Sequence, residues 1–293
     1  MLEDAAYPRT YAEADRLAKR TQSLHQALTK ANLLLLAFAA MLAIVGALLP
    51  AQVARVMSGV AAFLTFCAVI IWFILARGRF DNLWFDARAV AESLKTMTWR
   101  YMMHGRPYES GLTKKDADDR FFSEIAEVLD EQADVANRLK CPENAPEITD
   151  KMREVRGMPW EERLHIYVQD RVRDQKQYYG RRSNEHRRSA QQWSAIVFAL
   201  QVVAIVAAVW TVARGGTDLS GLAVAWAGFG MTWTQTNQYS TLAHSYGMTA
   251  QEFALIESKM QLVESNASLV RHVEEAELAA SREHTMWVAR NVL

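Results

Sequence analysis

Four long stretches without a charged side chain constrain the fold of this chain more than any other feature. They cover residues 31–54, 56–75, 189–213 and 219–251. A helix needs about 20 apolar residues to cross the ~30 Å hydrocarbon core of a bilayer. The pattern predicts an all-α membrane protein with spans at about 33–49, 56–75, 194–212 and 219–235. The fourth is the weakest, because Thr, Gln and Asn residues crowd its end, and a buried helix outside the membrane is the alternative for it.

Short connections join these stretches in pairs, which predicts two tandem two-span helical hairpins. The turns at residues 50–55 and 214–218 hold Arg55 and Arg214, whereas the other 31 of the 33 Lys and Arg residues lie outside them. Basic residues accumulate on the cytoplasmic side of membrane proteins. We therefore expect four spans in the inner (cytoplasmic) membrane, with both termini and residues 76–192 in the cytoplasm.

Outside the spans, apolar residues recur at steps of three and four, the period of an amphipathic helix. Such stripes run through residues 83–101, 122–139, 160–179 and 256–270. They predict a cytoplasmic helical bundle that extends from the hairpins, with one helix running unbroken from about Trp160 to about Val212. The chain reads as two similar halves, residues 1–104 and 158–293, separated by a helical insert and linker at 105–157.

Motifs for catalysis and cofactor binding are absent from the sequence. It has no His-Glu-x-x-His segment, no pair of cysteines at metal-binding spacing and no Gly-x-x-x-x-Gly-Lys loop. We expect neither enzymatic activity nor a cofactor or metal. Lys plus Arg equals Asp plus Glu, at 33 each, so the net charge of zero gives no reason to expect a nucleic-acid partner.

One face of the fourth span is the first candidate site. Its residues follow at steps of four, three, four and three: Gly221, Ala225, Gly228, Thr232 and Gln235. Small residues allow helices to pack closely, whereas a water-lined pore tolerates Thr and Gln where lipid does not. Both interpretations stay open. Gln201, the polar residue of the third span, fits an interhelical hydrogen bond better than a gate.

A basic run before the third span is the second candidate site, composed of Lys176, Arg181, Arg182, Arg187 and Arg188. Anionic lipid head groups explain such a run, and a phosphate or nucleotide ligand is the alternative.

A helix after the first hairpin carries a third group of candidate residues. Arg88 and Glu92 are one helical turn apart, with Trp84 a turn earlier and Trp99 further along, and we interpret them as orienting the helix.

Residues 81–102, directly after the first hairpin, and 167–188, directly before the second, resemble the SLATT family. These are bacterial two-transmembrane effectors associated with SMODS nucleotidyltransferases and SLOG sensors. The resemblance covers most of the chain as two units in tandem, with Trp84, Arg88, Glu92 and Trp99 as motif residues, and it carries no active-site residues over.

The resemblance implies an effector that breaches the membrane when triggered in a nucleotide-linked defence or conflict system. A nucleotide sensor or nucleotidyltransferase is the partner it suggests. Because four spans from one chain leave no room for an aqueous path, we expect a homo-oligomer in the bilayer. A non-conducting membrane scaffold or sensor and a small transporter are the alternatives.

Overall fold

The computed structural model describes residues 6–140, 142, 145–215 and 219–291, with side chains as far as residue 280. Every regular element in these ranges is helical, so the expected all-α fold is confirmed. The elements are α1 (Arg9–Gly46), α2 (Ala51–Gly78), α3 (Phe80–Met103), α4 (Lys114–Glu131), α5 (Ala133–Ala136), α6 (Asp150–Gly157), α7 (Trp160–Tyr167), a π-helical segment (Val168–Arg173), α8 (Asp174–Arg214), α9 (Ser220–Asn237), α10 (Tyr239–Met260) and α11 (Asn266–Asn291).

Three helical stretches of the described chain are long and apolar enough to cross a membrane. They are Arg9–Gly46, Ala51–Gly78 and the continuous helical stretch Trp160–Arg214. They contain the second and third expected spans and residues 33–46 of the first. The fourth expected span coincides with α9, which is helical over its 18 residues but is not among the three. The turn expected at 214–218 lies partly outside the described residues.

The long helix expected from Trp160 is helical throughout, but it is not uniformly α-helical. Residues Val168–Arg173 form a π-helical segment between α7 and α8. A π segment widens the helix locally and often lies at a functional site.

The stripe at residues 256–270 was expected to form one helix, and this prediction is wrong. α10 ends at Met260, a turn and bend follow, and α11 begins at Asn266. Ser265 starts the new helix, because its hydroxyl accepts a hydrogen bond from the backbone N–H of Ser268 at 3.2 Å. Such capping by Ser competes with helix continuation, and the apolar period alone does not reveal it.

The chain forms two compact units, and each combines parts of both halves of the sequence. Unit 1 consists of Met1–Gln22, Asp81–Arg181 and Tyr246–Leu293, and unit 2 of Ser23–Phe80 and Arg182–Ser245. Unit 2 therefore contains both hairpins, whereas unit 1 contains the helices that precede and follow them. Division of the sequence at 104 and 158 describes the repeat along the chain and stays a prediction.

Within unit 2 the helix ends that flank the two hairpin turns lie at the same end. A Cβ on Gly221, at the start of α9, would lie 3.5 Å from Cδ1 of Ile44, at the end of α1. Further along, the rings of Phe38 and Trp226 meet edge to face with centroids 5.4 Å apart. α1 and α9 are therefore antiparallel neighbours, as expected when both hairpins enter and leave on one side.

Units 1 and 2 differ in the size of the residues that they bury. Every buried residue of the described part of unit 2 is Ala, Gly or Ser. Unit 1 instead buries large side chains completely, among them Trp99, Tyr101, Tyr108, Tyr167 and Phe121.

Charge is divided in the same way. The segments of unit 2 contain eight Lys or Arg and two Asp or Glu, a formal charge of +6, and those of unit 1 carry −6. The net charge of zero is therefore the sum over a basic unit with apolar helices and an acidic unit with an aromatic core.

Candidate functional site

The proposed face of α9 is largely open within the chain. Gly228, Thr232 and Gln235 are exposed, whereas Ala225 and Gly221 are partly buried. A Cβ on Gly228 would have no atom within 4 Å, so no neighbouring helix of this chain needs a glycine there. At Gly228 the close-packing interpretation therefore has no support inside a single chain.

Close packing of α9 occurs on a different face, which the sequence analysis missed. Its buried residues are Ala223, Ala227 and Gly230. A Cβ on Gly230 would lie 2.7 Å from Cγ2 of Val197 in α8, a distance that side chains do not adopt without movement. The spacing of Ala223, Ala227 and Gly230 is a sequence signal for this close-packed face. The sequence analysis selected the face with Thr and Gln instead.

Gln201 makes a weak interhelical contact. Its side-chain amide Nε2 donates to Sδ of Met231 in α9 at 3.9 Å. Trp193 adds aromatic contacts between the same two helices, with ring centroids 6.1 Å from Phe229 and 6.4 Å from Trp233. These contacts attach α9 to α8 and leave the face with Gly228 open.

The basic run is divided between the two units. Lys176 and Arg181 belong to unit 1, and Arg182, Arg187 and Arg188 belong to unit 2. Lys176 forms an ion pair with Glu257 of α10, and the Nε atom of Arg173 lies 2.5 Å from the same carboxylate. Hydrogen bonds from these two cations lower the pKa of Glu257. Lys176 thus serves the packing of unit 1.

The remaining residues of the run face outward. Arg182 pairs with Glu185 one turn later at 3.1 Å, and Arg181, Arg187 and Arg188 are exposed.

The third candidate group lies on α3, where it packs against other helices of unit 1. Arg88 holds Glu92 at 2.5 Å and reaches Asp15 of α1 at 3.5 Å. The Glu92 charge raises the pKa of Arg88, although burial opposes the change. The pair therefore connects α3 to α1.

The two tryptophans of this group differ in depth. Trp99 is completely buried; its ring N–H donates to the Tyr7 hydroxyl at 3.1 Å and its ring meets Tyr167 edge to face at 5.4 Å. Trp84 is partly buried and stacks on Phe85 with centroids 4.6 Å apart.

A buried ion pair lies in unit 1, and it was not predicted from the sequence. The Glu277 carboxylate of α11 accepts hydrogen bonds from Arg171 Nε at 2.9 Å and Nη2 at 2.6 Å. It also accepts from the hydroxyls of Tyr167 at 2.8 Å and Thr96 at 2.9 Å. Both charged side chains are at most 2% exposed.

This carboxylate joins the two halves of the sequence. Thr96 lies on α3 in the first half, whereas Tyr167, Arg171 and Glu277 lie in the second. Burial alone would lower the pKa of Arg171, but the Glu277 charge and hydrogen bonds raise it above the ordinary value. Four donated hydrogen bonds satisfy the carboxylate, which is what a buried charge requires. Arg171 belongs to the π-helical segment.

An open groove lies beside the π-helical segment of unit 1. It has a volume of about 310 Å³ and includes His165, Gln169, Arg173 and Glu257 among its lining residues. Its arginine, Arg173, is already paired with Glu257. Within the described chain, no group of three or more His, Cys, Asp or Glu side chains could hold a metal ion.

Two family models match the chain one after the other and together cover nearly all of it. SMODS and SLOG-associating 2TM effector domain 3 matches residues 8–164. SMODS and SLOG-associating 2TM effector domain 1 matches residues 167–287. The chain belongs to the SLATT family. The tandem arrangement suggested by the resemblance is confirmed, and the two SLATT segments meet at the end of α7.

The matched SLATT segments do not coincide with the compact units. Each segment contributes one hairpin to unit 2 and flanking helices to unit 1. Residues 105–157, interpreted as an insert, lie inside the first matched segment. No curated protein and no solved structure matches the chain. The membership establishes a membrane-associated effector protein, consistent with its three long apolar helices.

Proposed function

We propose that this SLATT protein is a non-enzymatic effector that forms a pore, or otherwise breaches the inner membrane, as a homo-oligomer. In this proposal α9 is the fourth span, both termini are cytoplasmic, and the two hairpin turns face outward. The setting is a bacterial defence or conflict system. The family description names SMODS and SLOG, so we propose that a nucleotidyltransferase or nucleotide sensor supplies the trigger.

The open face of α9 is the observation that carries the proposal. α9 packs on α8 through Gly230 and Trp193, yet it leaves Gly228, Thr232 and Gln235 exposed. Exposed Gln and Thr side chains are unfavourable toward lipid but are tolerated toward water or another polar helix. A second copy of the same face would cover them, and a ring of copies would surround an aqueous path.

Bilayer conductance of the purified full chain, measured beside depolarisation of cells that express it, tests this function. Gly228→Leu should leave the fold intact, because the space beside Gly228 is empty, and should reduce or abolish the current. Thr232→Ala and Gln235→Ala should change the permeation without lowering the yield of protein.

Gly230→Leu is the matched control on the same helix. The new side chain would collide with Val197, and overpacking of this kind costs ~1–3 kcal/mol. This variant should lose thermal stability, which Gly228→Leu should not.

Three outcomes would contradict the proposal. A wild-type chain that neither conducts nor depolarises cells would be a scaffold, and saturable flux of one substrate would indicate a transporter. A stable monomer whose Gly228→Leu variant keeps full activity would exclude α9 as a shared surface.

A further inference from the structure

We propose that unit 2 carries a binding site for anionic phosphate head groups of lipids, at the end opposite its two hairpin turns. The basic side chains of this site are Lys30 of α1, Arg77 of α2, Arg187 and Arg188 of α8, and Arg79, which lies between α2 and α3. The site goes beyond the proposed pore, because it would bind lipid whether or not the protein conducts.

Contacts inside unit 2 place Lys30, Arg77 and Arg188 at similar heights along the helix axes. The neighbours Ile44–Gly221 and Phe38–Trp226 fix the antiparallel register of α1 and α9. The contact between Gly46 and Met57 does the same for α1 and α2, and Val197 against Gly230 for α8 and α9. When the helices are followed at ~1.5 Å per residue, these registers place Lys30, Arg77 and Arg188 within about 6 Å of one another along the helix axes.

The charge at this end is strongly one-sided. Six of the eight basic residues of unit 2 lie there, and Glu185 is the single acidic residue of unit 2 at this end. Glu185 is already paired with Arg182. Lys30, Arg77, Arg187 and Arg188 are exposed. A phosphate diester supplies the negative charge and the oxygen acceptors that Arg binds through paired hydrogen bonds.

Position along the helix favours a lipid as the source of the phosphate. Arg188 lies five residues before Trp193, and Trp is the residue that marks the edge of a membrane. Five residues correspond to ~7 Å of helix, and the head-group layer is ~5–8 Å thick on each side of the core. Long Arg and Lys side chains reach such a layer while their stems stay in apolar surroundings.

Native mass spectrometry of the full chain in mild detergent tests the site. Phosphatidylglycerol and phosphatidylcholine are added at equal concentration, and the lipids retained by each variant are counted. We expect wild type to retain phosphatidylglycerol preferentially. Each basic side chain near an anionic surface contributes about fivefold in affinity, so R187Q/R188Q should weaken retention about 25-fold.

R55Q/R214Q is the matched control, because it removes the same charge at the turn end of unit 2. It should weaken retention much less than R187Q/R188Q. R187K/R188K keeps the charge and should retain lipid within a few-fold of wild type. All three variants change exposed residues, so their thermal unfolding should match that of wild type.

Equal retention of both lipids by wild type, or equal losses in the two Gln double variants, would overturn the proposal. Inorganic phosphate and a mononucleotide are added separately as competitors. If either displaces phosphatidylglycerol at millimolar concentration, the site binds a soluble phosphate compound and the lipid assignment is wrong. If neither does, the head group is the ligand.

Discussion

The two compact units pack their helices in different ways, and each way suits a different solvent. Unit 1 buries Trp99 and Tyr101 completely, whereas unit 2 buries Ala, Gly and Ser and exposes 61% of Trp72 and 67% of Phe198. In water, burial of large apolar side chains drives folding. In lipid that force is absent between helices, and close approach through small residues replaces it. The contrast supports unit 2 as the membrane part of this SLATT protein.

Substitution of the same residue type in both units gives the largest expected difference. Trp99→Ala should destabilise the chain by ~3–5 kcal/mol, because it leaves a cavity in a packed core and removes the bond to Tyr7. Trp72→Ala should change stability by much less, since its side chain is 61% exposed and would face lipid in the membrane. Denaturant unfolding in mild detergent measures both.

Trp72→Ala would break the comparison if it cost as much as Trp99→Ala, because unit 2 would then depend on large side chains. A partner chain that covers Trp72 would produce such a result. Repeating the measurement at low protein concentration separates the two explanations, since only a contact between chains weakens on dilution.

The hairpins and the family could be predicted from the sequence, because local composition is enough to indicate a membrane span. An uncharged run such as 56–75 has few alternatives to a spanning helix, and short turns leave adjacent spans antiparallel. The resemblance at residues 81–102 then identified the family, and this step needed no knowledge of the three-dimensional fold. The same local reasoning located α3 and the start of α7 correctly to within a few residues.

Contacts between distant residues could not be predicted in this way. Arg171 and Glu277 are 106 positions apart and resemble the other charges of amphipathic helices. Nothing in their local pattern shows that one carboxylate receives donors from both SLATT segments. Gly230 was missed for a related reason: a glycine in a span is compatible with any face, and Val197 decides which face is tight.

Loss of the buried carboxylate tests how far unit 1 depends on buried polar contacts in addition to its aromatic core. Glu277→Gln keeps the shape but leaves the Arg171 charge buried without its partner. Removal of one member of a buried pair costs ~3–5 kcal/mol, and we expect a loss of about 3 kcal/mol because the Gln oxygen still accepts a hydrogen bond. Denaturant unfolding measures this loss.

R171M/E277L is the control, since it removes both charges together. It should recover most of the lost stability, as apolar replacements of buried pairs do. A double variant as unstable as Glu277→Gln would mean that the hydrogen bonds to Tyr167 and Thr96, rather than charge pairing, are what unit 1 needs.

The smallest expected effect is a pH dependence that comes from His104 in unit 1. Its Nε2 donates to the backbone oxygen of Arg156 at 2.9 Å, because a carbonyl can only accept. Burial lowers the pKa of His104 from 6.5 to about 4, and the charges of Arg156 and Arg163 add to the shift. The native ring is therefore neutral at pH 5, where the unfolded chain binds a proton.

Acidification should consequently weaken unit 1 between pH 6.5 and about pH 4, with no contribution from His104 above that window. We expect a loss of ~1 kcal/mol between pH 7 and pH 5, less than a fully buried ring would give. His104→Asn removes the titrating group and suits the positive φ of 58° at this position. Its unfolding free energy should change less between pH 7 and pH 5 than that of wild type. Equal slopes in the two proteins would mean that His104 is protonated in native unit 1 and that its burial does not control the charge.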